Sequence, residues 1–487
     1  MVGRTKEKLI LAILLCLGFA SHCVAQSGQL QEMSLDRWGQ LREVERHQMK
    51  VAEKYFRERN WSVAADEYDK YLTLYEASDA ASHALLKWAL CQVEMRRQNT
   101  AINDGFRSVV DYWPDSDDAI AASYYVGKTL NDIGQSQKAK SALNQVATDH
   151  AKHLAGVLAM VTLADIATVE KDDDLKEQIL RRLTFEALRD KRTRRQCETA
   201  SLQLANILFS KAAADDAIKA LTTTYQEERL ATEVVNQSRS PLQKLINDDQ
   251  AKSKADTLAN ELIAFLREQE PKTTTSPEDR SSARNLCFLV IDVLRSAKRT
   301  ADVEKEFSTV AKRFGTDDQL LGRIADWHTA NDRPAKARQA YGRFEDQIAG
   351  MELIATSYRQ EKDLVQAIQT YSTLIAKDAE NQAKWQAESA TTYREFSKYP
   401  EAIALYQQLV QDDANNADRW LWETAMTHKE ASNWKEAIGF FRQSERFPES
   451  YWEMASCHRR LKQHKEAITL YNQIAGGDKG RAPSAML

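Results

Sequence analysis

The sequence predicts an all-α protein, a superhelical solenoid of antiparallel helix pairs arranged in two arrays that a linker joins. Two observations support this fold class. Glycine and proline are rare, at 16 and 8 of 487 residues, which argues against the many tight turns of a β-sandwich or barrel. A pattern of small and aromatic residues also recurs about every 30 to 35 residues, a period typical of stacked helical repeats.

The first 25 residues have the features of a secretory signal peptide. Three basic residues precede an uncharged run of 12 residues, Leu9–Ala20, which is shorter than the ~20 residues that span a bilayer. Small residues follow this run, and Ala25 is the expected cleavage position. We therefore predict export to the periplasm or cell envelope, with an uncleaved N-terminal anchor as the alternative.

The mature chain is expected to carry neither a lipid nor a membrane span. Lipidation needs a small residue before the modified cysteine, but His22 precedes Cys23. Residues 26–44 form a leader after cleavage. No later stretch reaches 18 consecutive apolar residues, so no transmembrane helix is expected in the mature chain.

The most regular repeats predict a C-terminal array of six helix pairs over residues 283–479. In five of these units an alanine is followed by a tyrosine or histidine three residues later, a second alanine twelve later and an aromatic residue sixteen later. Residues three or four apart share a helix face, and the intervening gap leaves room for one tight turn. The alanines let two helices approach closely. These predicted packing residues are Ala325, Ala337, Ala355, Ala367, Ala390, Ala402, Ala425, Ala437, Ala455 and Ala467.

The rest of the chain is less regular but has related spacing. Residues 45–183 predict an N-terminal helical array, and residues 184–268 predict degenerate helical repeats. Residues 269–282, QEPKTTTSPEDRSS, contain two prolines and a polar run, which predicts the linker. Residues 480–487 resemble the start of a further helix, so truncation of a longer protein is an open alternative.

This pattern resembles the tetratricopeptide (TPR) repeat family, whose period is about 34 residues. The segments PEAIALY (400–406), KEAIGFF (435–441) and KEAITLY (465–471) are similar to the second helix of that repeat. Residues 124–143 are similar to repeats of exported bacterial proteins of the cell envelope. The resemblance implies a solenoid that binds proteins or peptides, with the first helix of each pair lining a groove.

The sequence contains no motif that binds nucleotides, activates a serine nucleophile or holds zinc. We therefore predict no enzymatic activity and no catalytic, cofactor-binding or metal-binding residues. The 67 basic and 71 acidic residues nearly balance, so no nucleic-acid partner is expected. Four widely separated cysteines follow Ala25, each in an apolar helical pattern, which predicts buried free thiols.

The groove that the resemblance implies provides the candidate partner-binding residues. Two tryptophans among several cations are typical of an interaction hot spot, and the cations favour an acidic protein or peptide. The alternative is that the tryptophans pack between helix pairs and that the arginines are ordinary surface residues. The candidate groove residues are Arg359, Arg394, Trp422, Met426, Lys429, Trp452, Arg459 and Arg460.

The predicted function is that of a non-enzymatic exported scaffold or adaptor in the cell envelope. Two alternatives stay open. The chain could be a structural spacer or oligomerisation module, or it could be the non-catalytic part of a longer enzyme or of a secretion or assembly protein. The sequence leaves the oligomeric state and the identity of the partner open.

Overall fold

A computed structural model describes residues 28–477 of the chain. The predicted signal peptide and the predicted further helix at 480–487 lie outside these residues. Over the described range the chain is helical and contains no β-strand, which confirms the all-α prediction. The chain divides into two compact units, a first unit that ends at Glu304 and a second unit that begins at Lys305.

In the first unit, consecutive helices follow one another through short turns, and helices α2 to α11 pack as antiparallel pairs. The first helices of these pairs are α2, α4, α6, α8 and α10. The helices are α1 (Leu35–Gln40), α2 (Glu43–Arg57), α3 (Trp61–Leu74), α4 (Ala81–Glu94), α5 (98–112), α6 (Asp117–Asp132), α7 (Ser136–Asp149), α8 (Leu154–Glu170), α9 (Asp173–Phe185), α10 (Arg194–Ser210), α11 (Ala214–Thr222), α12 (Glu227–Asn247), α13 (Lys252–Glu268) and α14 (Pro277–Ser296).

Helix α5 contains a π-helical turn where it passes close to α4. Regular α-helix at Gln98–Thr100 and Arg107–Tyr112 flanks the π-helical stretch Ala101–Phe106. A Cβ atom at Gly105 would come within 2.4 Å of the Cβ atom of Ala89. Glycine is therefore needed for this close approach of the two helices.

Helix α15 (Thr300–Phe314) contains the boundary between the two units, and five antiparallel helix pairs of the second unit follow it. The even-numbered member of each pair is its first helix. The helices are α16 (Asp318–Ala330), α17 (Pro334–Tyr341), α18 (Gln347–Gln360), α19 (Leu364–Lys377), α20 (Gln382–Glu395), α21 (Tyr399–Asp412), α22 (Ala417–Glu430), α23 (Trp434–Phe441), α24 (Glu449–Arg460) and α25 (His464–Gly477).

Small residues line the contact between the two helices of each pair. The ten predicted packing alanines are all buried, and none is more than 2 % exposed. Ala402, for example, packs in one cluster with Ala390, Tyr406 and Leu409 from the same pair. A larger side chain at such a position has no free volume to enter, because protein interiors are close-packed.

Repeats of different length differ in their second helix and in the turn that follows it. In the shorter repeats the second helix, α17 or α23, has 8 residues, whereas α19 and α21 have 14. The shorter helix is followed by a turn. An aspartate at the start of the first helix of the same pair accepts hydrogen bonds from this turn. Asp318 accepts hydrogen bonds from the backbone amides of Glu345 and Asp346 at 2.6 and 3.1 Å, and Asp418 accepts one from that of Glu445 at 2.8 Å.

The segment predicted as the linker is partly helical. Residues 269–276 connect α13 to α14, and α14 begins at Pro277. The hydroxyl of Ser276 accepts a hydrogen bond from the backbone amide of Asp279 at 3.0 Å and so caps the helix. Proline fits the first helical turn because the amide hydrogen that it lacks would have no partner there. The boundary between the compact units lies further along the chain, within α15.

Four cysteines of the described range are buried, and none forms a disulfide: Cys91, Cys197, Cys287 and Cys457. This confirms the prediction of buried free thiols. Burial raises the pKa of Cys91 to about 12 and that of Cys457 to about 11, because an apolar environment disfavours the thiolate. The thiols of Cys91 and Cys457 are therefore held in their neutral, weakly reactive form.

Candidate functional site

Two of the predicted groove cations form ion pairs between successive first helices of the second unit. Arg359 on α18 donates to Glu388 at 2.8 Å and to Glu395 at 2.7 Å, both on α20. Arg394 on α20 donates in the same way to Glu423 on α22 at 2.6 Å. The two arginines lie 35 residues apart, as do Glu388 and Glu423, so the contact repeats with the period of the chain.

Lys429 on α22 continues this series by pairing with Glu453 on α24. A second, longer contact joins Arg394 to Glu430 at 3.8 Å. We call the set Arg359, Arg394 and Lys429 with their carboxylate partners the ion-pair ladder. The ladder places three cations against five carboxylates. The predicted basic groove is therefore largely neutralised by the protein itself.

The electrostatic setting of Arg359 is consistent with a structural ion pair. Partial burial alone would lower the pKa of Arg359, but hydrogen bonds to the hydroxyl of Tyr371 and to Glu395 raise it above its usual value. The guanidinium is held by groups of two neighbouring helix pairs. Its role in the structure is to join those pairs.

The two predicted groove tryptophans pack inside their own helix pairs. The ring of Trp422 meets Phe441 edge-on at a centroid distance of 5.2 Å, and Trp452 meets Tyr471 edge-on at 5.3 Å. Met426 belongs to the same hydrophobic cluster as Trp422. Both indoles are half-buried. Each tryptophan thus contributes to packing and remains partly exposed.

The last two predicted groove residues, Arg459 and Arg460, are exposed at the end of α24. Arg460 lies over the ring of Trp434 at 5.9 Å. Within residues 28–477 neither arginine pairs with a carboxylate. Positive charge that is free to meet an acidic partner is therefore concentrated at this end of the predicted groove.

A repeated turn that joins successive pairs was not predicted from the sequence. The indole nitrogen of Trp385 donates to Asp378 at 2.9 Å, and that of Trp420 donates to Asp413 at 2.9 Å. Both tryptophans are buried. The signal was present in the chain, because an aspartate, an asparagine three residues later and a tryptophan seven residues later recur at an interval of 35 residues.

In the first unit, residues 28–41 lie against the first helices α4 and α6; we call them the N-terminal segment. The side-chain amide of Gln31 donates to the hydroxyl of Tyr125 on α6 at 3.0 Å. The ammonium group of Lys87 on α4 donates to the backbone carbonyl of Gln31 at 3.4 Å. At the other end of the segment, Leu41 is buried in the core cluster of α2 and α3.

Arg37 of the N-terminal segment fills a polar pocket between α4 and α6. Its Nη1 atom donates to Asp118 at 2.6 Å, its Nη2 atom donates to the hydroxyl of Ser82 at 2.8 Å, and its Nε atom donates to the backbone carbonyl of Asp79 at 3.0 Å. Nη2 also contacts the carbonyl of Asp79. Asp118 and Ser82 are themselves buried, at 6 % and 2 % exposure. We call this the guanidinium pocket.

A buried charge network lies directly behind the guanidinium pocket. The ring of His83 has one nitrogen 3.4 Å from Asp118 and the other 3.7 Å from Glu53. Glu53 also pairs with Lys87 at 3.0 Å and accepts a hydrogen bond from the hydroxyl of Tyr68 at 2.7 Å. The network joins α2, α4 and α6, which are the first helices of three successive pairs.

The network favours the ionised form of its carboxylates and the protonated form of its histidine. Burial alone would raise the pKa of Glu53, but His83 and the charge of Lys87 lower it to about 2. Burial would likewise raise the pKa of Asp118, yet contacts with His83 and Arg37 lower it. Desolvation opposes protonation of His83, but the neighbouring carboxylates of Asp118 and Glu53 raise its pKa. Because carboxylate oxygens only accept, a histidine between two of them carries a proton on each ring nitrogen.

The tetratricopeptide repeat family model matches residues 83–116 and 449–476, which are one helix pair in each unit. The chain therefore carries TPR repeats, as its helix pairs and their spacing predict. No curated protein sequence matches the chain.

The chain is similar to two solved structures at low sequence identity. One is described as "Crystal structure of APC/C hetero-tetramer Cut9-Hcn1", with 12 % identity and a TM-score of 0.29 over 92 % of this chain and 96 % of that chain. The other is a tetratricopeptide repeat protein from Parabacteroides merdae ATCC 43184, with 10 % identity and a TM-score of 0.27 over 64 % of this chain and 98 % of that chain.

No cluster of three or more histidine, cysteine, aspartate or glutamate side chains in residues 28–477 is arranged to hold a metal ion. No helix in that range combines the length and the apolar character needed to cross a membrane.

Proposed function

We propose that the chain is a non-enzymatic scaffold of the cell envelope that binds segments of other proteins along the first helices of its TPR repeats. The observation that carries the proposal is the N-terminal segment, which lies on the first helices of the first unit and is held there by side chains from α4 and α6. This surface therefore has the shape and the polar groups needed to hold a stretch of polypeptide.

Export is part of the proposal and rests on the residues of the signal-peptide pattern. It implies a mature protein that begins after Ala25, without a lipid. N-terminal sequencing of the protein purified from its native cells tests it. An intact N-terminus in a soluble cytoplasmic fraction would overturn export and leave the scaffold function to be judged separately.

Site-specific photo-crosslinking in native cells tests the scaffold function. We place the crosslinker at Met426 and Ser456, which are half-buried on the first helices α22 and α24, and at Gln408 and Thr469, which are exposed on the second helices α21 and α25. Binding along first helices predicts discrete adducts with another protein from the first two positions and none from the other two. Equal labelling at all four positions, or no adduct at any, would refute the proposal.

The same experiment separates the alternatives. Adducts between two copies of this chain would favour an oligomerisation module or structural spacer. A longer product of the native gene that extends beyond Leu487 would favour the non-catalytic part of a larger protein.

Recognition of an acidic partner in the second unit is proposed for the end of α24, where Arg459 and Arg460 have no carboxylate partner among the described residues. Arg459→Glu should slow association with the partner that crosslinking identifies and should reduce the salt dependence of the association rate. Unpaired charges at the rim of an interface act mainly on the rate at which the two proteins meet. Trp452→Ala should mainly speed dissociation, because aromatic anchors act through buried contact. Arg442→Glu, an exposed charge reversal after α23, is the matched control. Unchanged rates for both variants would place the site elsewhere.

A further inference from the structure

The guanidinium pocket has the construction of a binding site for one kind of side chain. Its contacts with Arg37 come from a carboxylate, a hydroxyl and a backbone carbonyl, and all three accept hydrogen bonds from the guanidinium. The acceptors converge from the start of α4 and the start of α6. Asp118 and Ser82 are buried, and the hydroxyl of Ser82 donates to Asp118 at 2.7 Å, so the carboxylate is already oriented.

The arrangement of acceptors in the pocket matches a guanidinium better than an ammonium group. Arg37 uses its Nε, Nη1 and Nη2 atoms on three acceptors that lie in different directions, which matches the planar fork of a guanidinium. A lysine ammonium is a compact charge on a flexible chain and cannot meet all three acceptors in this way. An acidic side chain would be repelled by Asp118.

Asp118 is held in the pocket by side chains other than Arg37. His83 contacts Asp118 from the protein side, and Glu53 contacts His83 and pairs with Lys87. These contacts belong to α2, α4 and α6, and none of their side chains comes from the N-terminal segment. A site whose groups are held in place before binding loses less conformational entropy when a ligand enters.

The N-terminal segment itself is lightly anchored over much of its length. Helix α1 has six residues, none of them buried, and Leu35 is 87 % exposed. Met33 and Trp38 are half-buried against the core, and the side chain of Arg37 is 23 % exposed. Arg37 holds the segment through Asp118 on α6, Ser82 on α4 and the carbonyl of Asp79, which precedes α4.

We propose that the guanidinium pocket is the binding site for an arginine side chain of a partner protein, and that Arg37 occupies this pocket in cis until the partner segment displaces it. The inference rests on the proposed scaffold function and names the chemistry of one of its ligands. The N-terminal segment then acts as a built-in competitor, so a partner must bind more tightly than a tethered arginine does. Removal of Arg37 should increase the apparent affinity for such a partner.

A peptide-binding experiment on the full-length chain tests the proposal. The probe is a fluorescein-labelled peptide with the sequence of residues 28–41, titrated against wild type and against Arg37→Ala and followed by fluorescence anisotropy. We expect saturable binding to Arg37→Ala that is about tenfold or more tighter than binding to wild type, because the competing side chain is gone. Arg57→Ala, which removes an exposed arginine of α2 that hydrogen-bonds to the backbone of its own helix, should behave as wild type.

Two matched peptides and two further variants examine the chemistry. Peptides with lysine or alanine in place of the arginine should bind Arg37→Ala about tenfold more weakly than the arginine peptide does. Adding Asp118→Asn to Arg37→Ala should abolish the preference for arginine. If Asp118→Asn disturbs folding, Ser82→Ala is the alternative variant. It leaves the contact between His83 and Asp118 in place and should reduce the preference for arginine.

Several outcomes would overturn the proposal. Equal binding of the three peptides would show that no arginine pocket operates, and equal binding to wild type and Arg37→Ala would show that Arg37 does not compete. Loss of helicity in Arg37→Ala, measured by circular dichroism, would show that the segment is a structural cap of the first unit. The crosslinking at Met426 and Ser456 is independent of this pocket, so adducts there together with failed peptide binding would refute the pocket alone.

Discussion

Replacing Glu53 by glutamine isolates the energetic contribution of the buried charge network. The substitution keeps the size of the side chain and a hydrogen-bond acceptor for Tyr68, but it removes the negative charge that faces His83 and Lys87. Both cations are then left in the interior with less compensation, and His83 retains Asp118 as its anionic neighbour. We expect the first unit to be destabilised.

The pKa of Glu53 sets the expected size of this destabilisation. Its lowering from 4.5 to about 2 corresponds to about 3 kcal/mol of stabilisation at pH 7. A carboxylate with a lowered pKa in the folded state contributes this stability above its unfolded pKa and loses it as the pH falls towards the folded value. The difference in the free energy of unfolding between wild type and Glu53→Gln should therefore be about 3 kcal/mol at pH 7 and about 2 kcal/mol at pH 3.5.

Urea unfolding followed by circular dichroism at both pH values measures this difference, and hydrogen exchange at pH 7 locates it. Exchange should accelerate in α2, α4 and α6, because repeat units couple mainly to their neighbours. Glu94→Gln, which changes an exposed carboxylate of α4, is the control and should shift stability by less than about 0.5 kcal/mol. A difference below about 1 kcal/mol at pH 7, or one that grows in acid, would refute the assigned role of the charge.

Three further predictions concern the second unit. A double-mutant cycle on Arg394 and Glu423, whose charged groups are partly buried, should give a coupling energy of ~0.5–1 kcal/mol in urea unfolding, and a coupling of zero at low salt would count against the ladder as a joint between repeats. Ala402→Leu should destabilise its helix pair by ~1–3 kcal/mol through overpacking; hydrogen exchange should speed up in α20 and α21 and their neighbours, and unchanged exchange would contradict the packing role. His428 is buried beside Phe440 with neither ring nitrogen hydrogen-bonded within the described range, and burial lowers its pKa. His428 therefore binds a proton more readily in the unfolded chain, so the free energy of unfolding should fall as the pH is lowered from about 7.5 to about 5.5. His428→Phe should remove that part of the pH dependence in urea titrations. Identical slopes of the free energy of unfolding against pH for the two proteins would exclude the effect.

The helical repeats could be predicted from the sequence because their cause is local. Alanines and aromatic residues at fixed offsets report the faces along which two helices meet, and the structure buries Ala355, Ala402 and Ala437 completely. The lengths of the repeats could also be read from the chain, but the reason for them could not. It lies in hydrogen bonds such as that from Glu445 to Asp418, which join residues 27 positions apart.

The buried network could not be predicted because charged residues at helical spacing are normally exposed. His83 and Lys87 lie four residues apart on α4, a spacing typical of a solvated helix face. Their burial depends on three partners from other elements: Glu53 on α2, Asp118 on α6 and the N-terminal segment that covers them. Periodicity within one helix carries no information about groups that meet only after several pairs have stacked.

The ion-pair ladder shows why composition overestimated the basic character of the predicted groove. Sequence comparison of the repeats identifies Arg359, Arg394 and Lys429 as equivalent positions, and that equivalence is itself the reason why they are unavailable. A cation at the same position of each first helix faces a carboxylate at the same position of the next one, so the repeat that aligns the charges also pairs them. The series ends at Arg459 on α24, the last first helix in the described range. Recognition by charge is therefore expected at Arg459 and Arg460, which have no carboxylate partner within residues 28–477, rather than along the ladder.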